Sequence, residues 1–160
     1  MRESVFGALG SRLSLEGAVV VDLFAGSGAM GIEALSRGAA SATFVDADAA
    51  AVAAVRTNLA TTGLSDRADV VRQRAEVWLA TAVDRAPADV VFCDPPYAFD
   101  DWASLLGGIR ARLVVIESDR PVEVAGWDVA RQRRYGTTFV TFAEPTPARP
   151  DHVPSDGTGE

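Results

Sequence analysis

The sequence holds one cysteine, Cys93, one histidine, His152, and no lysine; all fifteen basic residues are arginine. A single thiol excludes an internal disulfide, and a lone histidine cannot build a metal cluster, so no metal is expected. No apolar stretch reaches the ~18 residues that read as a membrane span. Met1-Arg2-Glu3-Ser4 leads into mixed helical sequence rather than the apolar core of a secretory signal. Of the 160 residues, 48% are hydrophobic and 23% charged, which excludes a largely disordered chain and supplies the core of one domain. The expectation is a soluble, cytoplasmic, monomeric domain with no membrane partner.

Basic charge is also short. The formal net charge is −7, and an acidic protein is a poor prior candidate for nucleic-acid binding. Part of the excess is local, because Glu144, Asp151, Asp156 and Glu160 face only Arg149 from residue 144 onward. The charge therefore counts against a nucleic-acid substrate without excluding one.

What is present is an alternation of short apolar runs with helical patterns. Residues 2–13 place Phe6, Leu9 and Leu13 on one helical face. Ala18–Phe24, Ala42–Asp46, Asp69–Arg72, Asp89–Cys93 and Leu113–Glu117 read as strands, the β-branched ones as strands buried on both faces. Helices are predicted from Met30 to near Gly38, from an Asp48 cap to Gly63, over Glu76–Val83 and near Trp102–Ile109. Trp127–Tyr135 and Thr137–Phe142 read as a hairpin joined at Gly136. The pattern predicts an α/β, doubly wound, mostly parallel seven-stranded Rossmann-like sheet with an antiparallel C-terminal hairpin. The domain is expected to span 1–143. Residues 144–160, with four prolines and two glycines, are expected to form a disordered acidic tail.

Gly26-Ser27-Gly28-Ala29-Met30-Gly31 is a G-x-G-x-x-G between a strand and a helix. Such a loop lets the backbone approach a ligand and turns its amides toward a polar group. Asp46 ends the next strand about 20 residues on, where a carboxylate can accept hydrogen bonds from ribose hydroxyls. This much fits a dinucleotide, another adenosine cofactor, or a ligand-free tight turn. Asp22 lies at the end of the strand before the loop. A carboxylate there repels a pyrophosphate and attracts a cationic ligand. S-adenosylmethionine, with a sulfonium, an ammonium and no phosphate, is the better fit.

Asp94-Pro95-Pro96-Tyr97 follows the strand Val90–Cys93, at the end that faces the ligand crevice of a doubly wound sheet. Two prolines remove two donors and leave carbonyls and the Asp94 carboxylate as acceptors. Tyr97 adds a flat ring with a polar tip. An acceptor-only corner beside an aromatic plate suits the exocyclic amino group of a planar base; the competing reading is a rigid turn with a surface tyrosine.

At these residues the sequence resembles a class I S-adenosylmethionine-dependent methyltransferase with the [DNS]-P-P-[YF] motif. The string from Asp22 through Glu33 to Gly38, with Arg2-Glu3-Ser-Val-Phe6, is similar to the RsmD-type family that methylates guanine N2 in 16S ribosomal RNA. The resemblance implies cofactor contacts at Asp22, Phe24, Ala25, Gly26, Ser27, Gly28, Asp46, Ala47, Arg74, Ala75 and Asp94, and a catalytic corner at Asp94, Pro95, Pro96 and Tyr97. It further implies a ribosomal RNA partner within a small-subunit assembly particle. Family members carry a basic β-hairpin ahead of the segment at which this sequence begins, which leaves an inactive cofactor-binding module as one alternative. Methylation of adenine N6 in DNA or of a protein glutamine is the other. Asp48 reads as a helix cap before a second ribose contact, and Asn58 and Trp78 as structural. Arg131, Arg133 and Arg134 read equally as phosphate contacts or as a solvated hairpin face.

Overall fold

The computed structural model describes residues 1–148. Its elements are α1 (Arg2–Gly10), β1 (Val19–Leu23), α2 (Ala29–Ser36), β2 (Ser41–Asp46), α3 (Ala49–Thr62), β3 (Ala68–Arg72), α4 (Ala75–Thr81), β4 (Ala88–Cys93), α5 (Trp102–Gly108), β5 (Ala111–Ser118), β6 (Trp127–Tyr135) and β7 (Thr138–Pro145). The strands form one sheet in the order β3-β2-β1-β4-β5-β7-β6. β1 to β5 pair in parallel, whereas β7 runs antiparallel to β5 and to β6. This is the α/β, mostly parallel, seven-stranded architecture with an antiparallel end that the alternation of runs predicts.

Two apolar layers sandwich the central strands. Phe6 and Leu9 of α1, Leu35 of α2, and Val55 and Leu59 of α3 pack on one face, against Val20, Phe44, Phe92 and Val115. Trp78 and Leu79 of α4 and Leu105 and Leu106 of α5 pack on the other, against Val21, Val45, Val91 and Val114. Burial on both sides is why β1, β4 and β5 are continuous apolar runs rather than alternating ones. α3 begins where the Asp48 side chain accepts the Ala50 N–H at 3.1 Å and ends at a left-handed Gly63, the cap and the stop read from the sequence.

Three of the boundary differences have a local cause. β1 stops at Leu23, because Phe24 adopts a left-handed φ of 55° and turns the chain out of the strand. α1 ends at Gly10, with the Ser11 hydroxyl donating back to the Ala8 carbonyl, so Leu13 packs on the core from outside the helix. β7 starts at Thr138 and continues through Glu144 and Pro145, two residues beyond the domain boundary expected at 143; Pro145 pairs with Trp127. The Thr146 N–H then bonds the Gly126 carbonyl at 2.9 Å. The rest of the expected tail, from residue 149, lies outside the described residues. Among the described residues no helix is long and apolar enough to cross a membrane.

Candidate active site

Four neighbouring parallel strands each deliver a carboxyl group to the same edge of the sheet. Asp22 lies in β1, Asp46 ends β2, Asp94 follows β4 and Glu117 lies in β5. Asp22 pairs laterally with Phe92, and Cys93 with Ile116, so Asp94 and Glu117 are next to each other one step further on. Side chains alternate along a strand. All four acids therefore share the face of Val20, Phe44, Phe92 and Val115, the side covered by α1, α2 and α3.

The glycine loop is built to bring backbone against this edge. Gly28, at φ 80°, caps α2, and a Cβ there would meet the rings and methyls of Phe44 and Val55 at 3.2 Å. A side chain at Gly31 would collide with the Phe44 ring, so only glycine lets the first turn of α2 lie close over β1 and β2. The Gly31 N–H can thus donate to Asp22 Oδ2 at 3.0 Å. Asp46 accepts the Gly26 N–H at 2.9 Å through Oδ2 and the Asp48 N–H at 2.9 Å through Oδ1. Each oxygen keeps a lone pair for a further donor. Asn58 pins the loop from α3 by donating to the Ser27 carbonyl at 2.9 Å.

Two adjoining cavities open along the edge. One, of about 420 Å³, runs beside Asp22, Ala25, Gly26 and Ser27. The other, of about 490 Å³, is lined by Asp46, Pro95, Pro96, Tyr97, Trp102 and Thr138 among others. Phe24, Asp94 and Glu117 border both. Phe24 also begins an edge-to-face aromatic run, with Phe99 at 5.9 Å between ring centroids and Trp102 a further 5.0 Å on. Trp102 Nε1 is buried with no hydrogen-bond partner.

The electrostatics are those of an acidic, desolvated corner. Burial pushes the Asp22 carboxyl up to about 8; the Gly31 N–H opposes this and the Asp94, Glu117 and Asp46 charges add to it. Burial likewise raises Glu117 to about 7, reinforced by the neighbouring Asp94 charge and its hydrogen-bonding influence, and opposed by the Met1 ammonium. Asp94 is also raised by burial, while the hydrogen-bonding influence of Glu117 holds it down. Of the two, Glu117 is therefore the group that more readily holds a proton. No arginine lies within ion-pair distance of Asp22, Asp94 or Glu117 among the described residues; Arg120, the nearest in sequence, pairs with Asp119. Burial also pushes the Cys93 thiol up, which makes it inert as a nucleophile.

The sequence-predicted residues divide into two groups. Asp22, Phe24, Ala25, Gly26, Ser27, Asp46 and Asp94–Tyr97 line the two cavities. Gly28 caps a helix, and Ala47, Arg74 and Ala75 lie outside both. Arg74 turns its guanidinium onto Glu76 at 2.5 Å, and Ala75 is buried in the opposite core. The carbonyls of the proline corner are not all free, since Pro96 accepts the Phe99 N–H at 2.9 Å. Asp48 is the helix cap, and Asn58 is the structural clamp on the loop. Glu117, Phe99 and Trp102 join the site only through the fold. The one signal for Glu117 in the sequence is its place at the end of an apolar strand, the same place that Asp22 and Asp46 hold in theirs.

Sheet order, glycine loop and acidic edge together define a Rossmann-like methyltransferase. The chain belongs to the family described as Conserved hypothetical protein 95, whose sequence model matches residues 1–144, the RsmD-type methyltransferases. It is 38% identical to YlbH of Bacillus subtilis, a candidate rRNA methyltransferase, over 89% of this chain and 83% of that one. To the ribosomal RNA small subunit methyltransferase D of Escherichia coli it is 33% identical, over 85% and 72%. The structure of the candidate methyltransferase yhhF from Escherichia coli superposes with a TM-score of 0.78 at 32% identity, covering 90% of this chain and 83% of that one.

Proposed function

We propose that the chain transfers a methyl group from S-adenosylmethionine to N2 of a guanine in small-subunit ribosomal RNA, as a cytoplasmic monomer acting on an assembly particle. The observation that carries this reading is the meeting of two cavities at Phe24, Asp94 and Glu117, one beside the glycine loop and one beside the proline corner. The first fits the cofactor: it sets the buried Asp22 carboxyl, which has no ion pair among the described residues, and the loop backbone opposite Met1 and Arg2, and Asp46, with spare lone pairs for a ribose, lines the adjoining cavity. The adenine would extend past Asp46 toward Ala47 and the Arg74-Ala75 turn, which is tied to β2 by the Gln73 N–H on the Asp46 carbonyl at 3.0 Å. The names of the curated relatives support RNA of the small subunit as the substrate.

When bound, S-adenosylmethionine supplies an electrophilic methyl on sulfur. The residues of the corner do the rest. An amino group conjugated into a base is a weak nucleophile, and Asp94 with the Pro95 carbonyl would accept its hydrogens and aim its lone pair along the line between the two cavities. A carboxylate already holding one N–H is placed to take the proton that the methylated nitrogen must lose. Tyr97, 65% exposed at the lip, would stack a base drawn out of its helix. Positioning of this kind is worth about 7 to 11 kcal/mol at its best. The domain doing this is proposed as 1–143 together with the two further strand residues, the remaining chain being dispensable.

The test is transfer of tritium from labelled S-adenosylmethionine to 30S particles from cells lacking the endogenous enzyme, with methylated nucleosides separated. N2-methylguanosine is the expected product. N6-methyladenosine would replace the substrate assignment, and no product from a chain carrying a basic hairpin ahead of Met1 would leave a cofactor-binding module.

A further inference from the structure

We infer that Glu117, at the carboxyl end of β5, sets base specificity by accepting the N1–H of the guanine whose N2 amino group Asp94 holds. The inference rests on the methyl-transfer reading above and adds to it a residue that discriminates guanine from adenine and cytosine.

Three observations support it. Asp94 and Glu117 are lateral neighbours, one step beyond the paired Cys93 and Ile116, and both border the two cavities. Each shifts the other's titration, Asp94 holding Glu117 up and Glu117 holding Asp94 down. Neither has an arginine within ion-pair distance among the described residues. The Met1 ammonium offsets only part of the cost of burying Glu117, and the rest falls when a ligand brings N–H donors to the two carboxyls.

The Watson–Crick edge of guanine carries two donors side by side, N1–H and N2–H. Two adjacent carboxyls, both ionised, are two adjacent acceptors, and the match is one to one. Adenine and cytosine also carry an exocyclic amino group, but the ring nitrogen next to it is an acceptor. Placed with the amino group on Asp94, that ring nitrogen would turn its lone pair toward the Glu117 carboxylate. A site that leaves a buried acceptor unpaired rejects such a ligand far more strongly than a site that merely fits its shape. Asp94 alone does not discriminate, since every amino-bearing base offers it the same hydrogens. Glu117 accepts from the base rather than from the methyl donor, so its removal should act mainly on which base reacts.

The experiment compares wild type, Glu117→Gln and Glu117→Ala on 30S particles and on unmodified ribosomal RNA, with N2-methylguanosine and N6-methyladenosine quantified together. Cofactor affinity should stay within about twofold in both variants. Glu117→Ala should lower N2-methylguanosine by about 10- to 100-fold, the discrimination that one good base contact supplies. Glu117→Gln has an amide that can donate to a ring nitrogen, and it should raise the adenine-to-guanine product ratio by about tenfold or more. In parallel, the S-adenosylhomocysteine-loaded proteins are titrated with labelled oligonucleotides bearing one guanine or one 2-aminopurine, which keeps the amino group and replaces N1–H by an acceptor. Wild type should prefer guanine, and Glu117→Gln should lose that preference even if it turns nothing over. A preference for guanine retained in Glu117→Gln, or a lower rate with an unchanged base ratio, would overturn the inference and leave Glu117 as a prop for Asp94. Wild-type product at adenine would instead overturn the underlying reading.

Discussion

The acidic edge formed by β1, β2, β4 and β5 and the outer hairpin strand β6 carry opposite charge under opposite conditions. At the edge, Asp22 is 4% exposed, and Asp94 and Glu117 are shielded enough for burial to dominate their titration. On β6, Arg133 and Arg134 are exposed and lie toward the Gly136 turn, while at the far end Asp128 meets Thr146 and its β7 neighbour Glu144 meets Arg12. The two regions are close, because Thr138, paired with Tyr135 at the hairpin tip, lines the larger cavity. A net charge of −7 adds these regions together and describes neither. Charges in the desolvated corner act over a few ångströms on a specific ligand, while exposed arginines act through a screened field on any polyanion. The difference predicts that changes at the edge alter chemistry and ligand choice, and that changes on the hairpin alter only how firmly RNA is held.

The largest effect should come from Asp94→Ala. In the proposed mechanism its partner is the nucleophile, so methyl transfer at saturating cofactor should fall about 100- to 1000-fold while cofactor affinity is nearly unchanged. Asp94→Asn should be milder, because the amide oxygen still accepts one hydrogen bond. Transfer undiminished in Asp94→Ala would remove the proline corner from the mechanism. Asp46→Ala should do the reverse. Calorimetric titration with S-adenosylhomocysteine should show a loss of roughly 1 to 3 kcal/mol, from missing ribose bonds and from a loop that no longer has its Gly26 and Asp48 acceptor. An affinity equal to wild type would move the ribose contact away from β2.

A smaller effect separates the edge from ordinary surface acids. Asp22 titrates near 8 in the folded chain against 3.8 as a free side chain. The folded state therefore holds a proton that the unfolded state releases, and stability present at low pH is lost as pH rises between about 4 and 8. Glu117 adds to the same sign up to about 7. The ligand-free protein should melt several degrees lower at about pH 8 than at about pH 5. Asp22→Asn, neutral throughout, should flatten that slope. A melting temperature that rises over this range would show that the corner is wetter than its burial implies.

The fold was readable because the central strands β1, β4 and β5 are apolar runs and α3 has a physical start and stop, Asp48 and Gly63. The glycine loop was readable because glycines are required where Phe44 leaves no room for a side chain. Glu117 was not readable in the same way. In the sequence it is one acid among 22, and its meaning comes from the lateral register that sets β5 beside β4. Phe99 and Trp102 were hidden for a related reason, since only the turn after Tyr97 folds them back toward Phe24. Ala47, Arg74 and Ala75 came from resemblance alone, and their side chains do not face either cavity. The left-handed Phe24 had no signal, because local sequence does not distinguish a last strand residue from a first turn residue.

The smallest effects should come from the hairpin, and they test whether β6 is a phosphate-binding face or a solvated one. Removing one arginine–phosphate interaction should lower the slope of log affinity against log salt by about 1 and weaken 30S binding a few-fold, uniformly across sequences. The turnover rate at saturating substrate should not change, since no hairpin arginine lines either cavity. Arg133 and Arg134 should differ from each other. The Arg134 guanidinium lies 5.6 Å over the Phe139 ring and donates to the Gly136 carbonyl at 2.8 Å, so its side chain is already ordered. Arg133 has no such interaction among the described residues and would lose more side-chain freedom on meeting a phosphate. Arg134→Gln should therefore weaken RNA binding more than Arg133→Gln, although both remove one charge. Equal losses would make the hairpin a diffuse positive field without a docked phosphate. Unchanged salt slopes in both would return it to solvent and leave the acidic edge as the whole of the RNA-facing chemistry in the described residues.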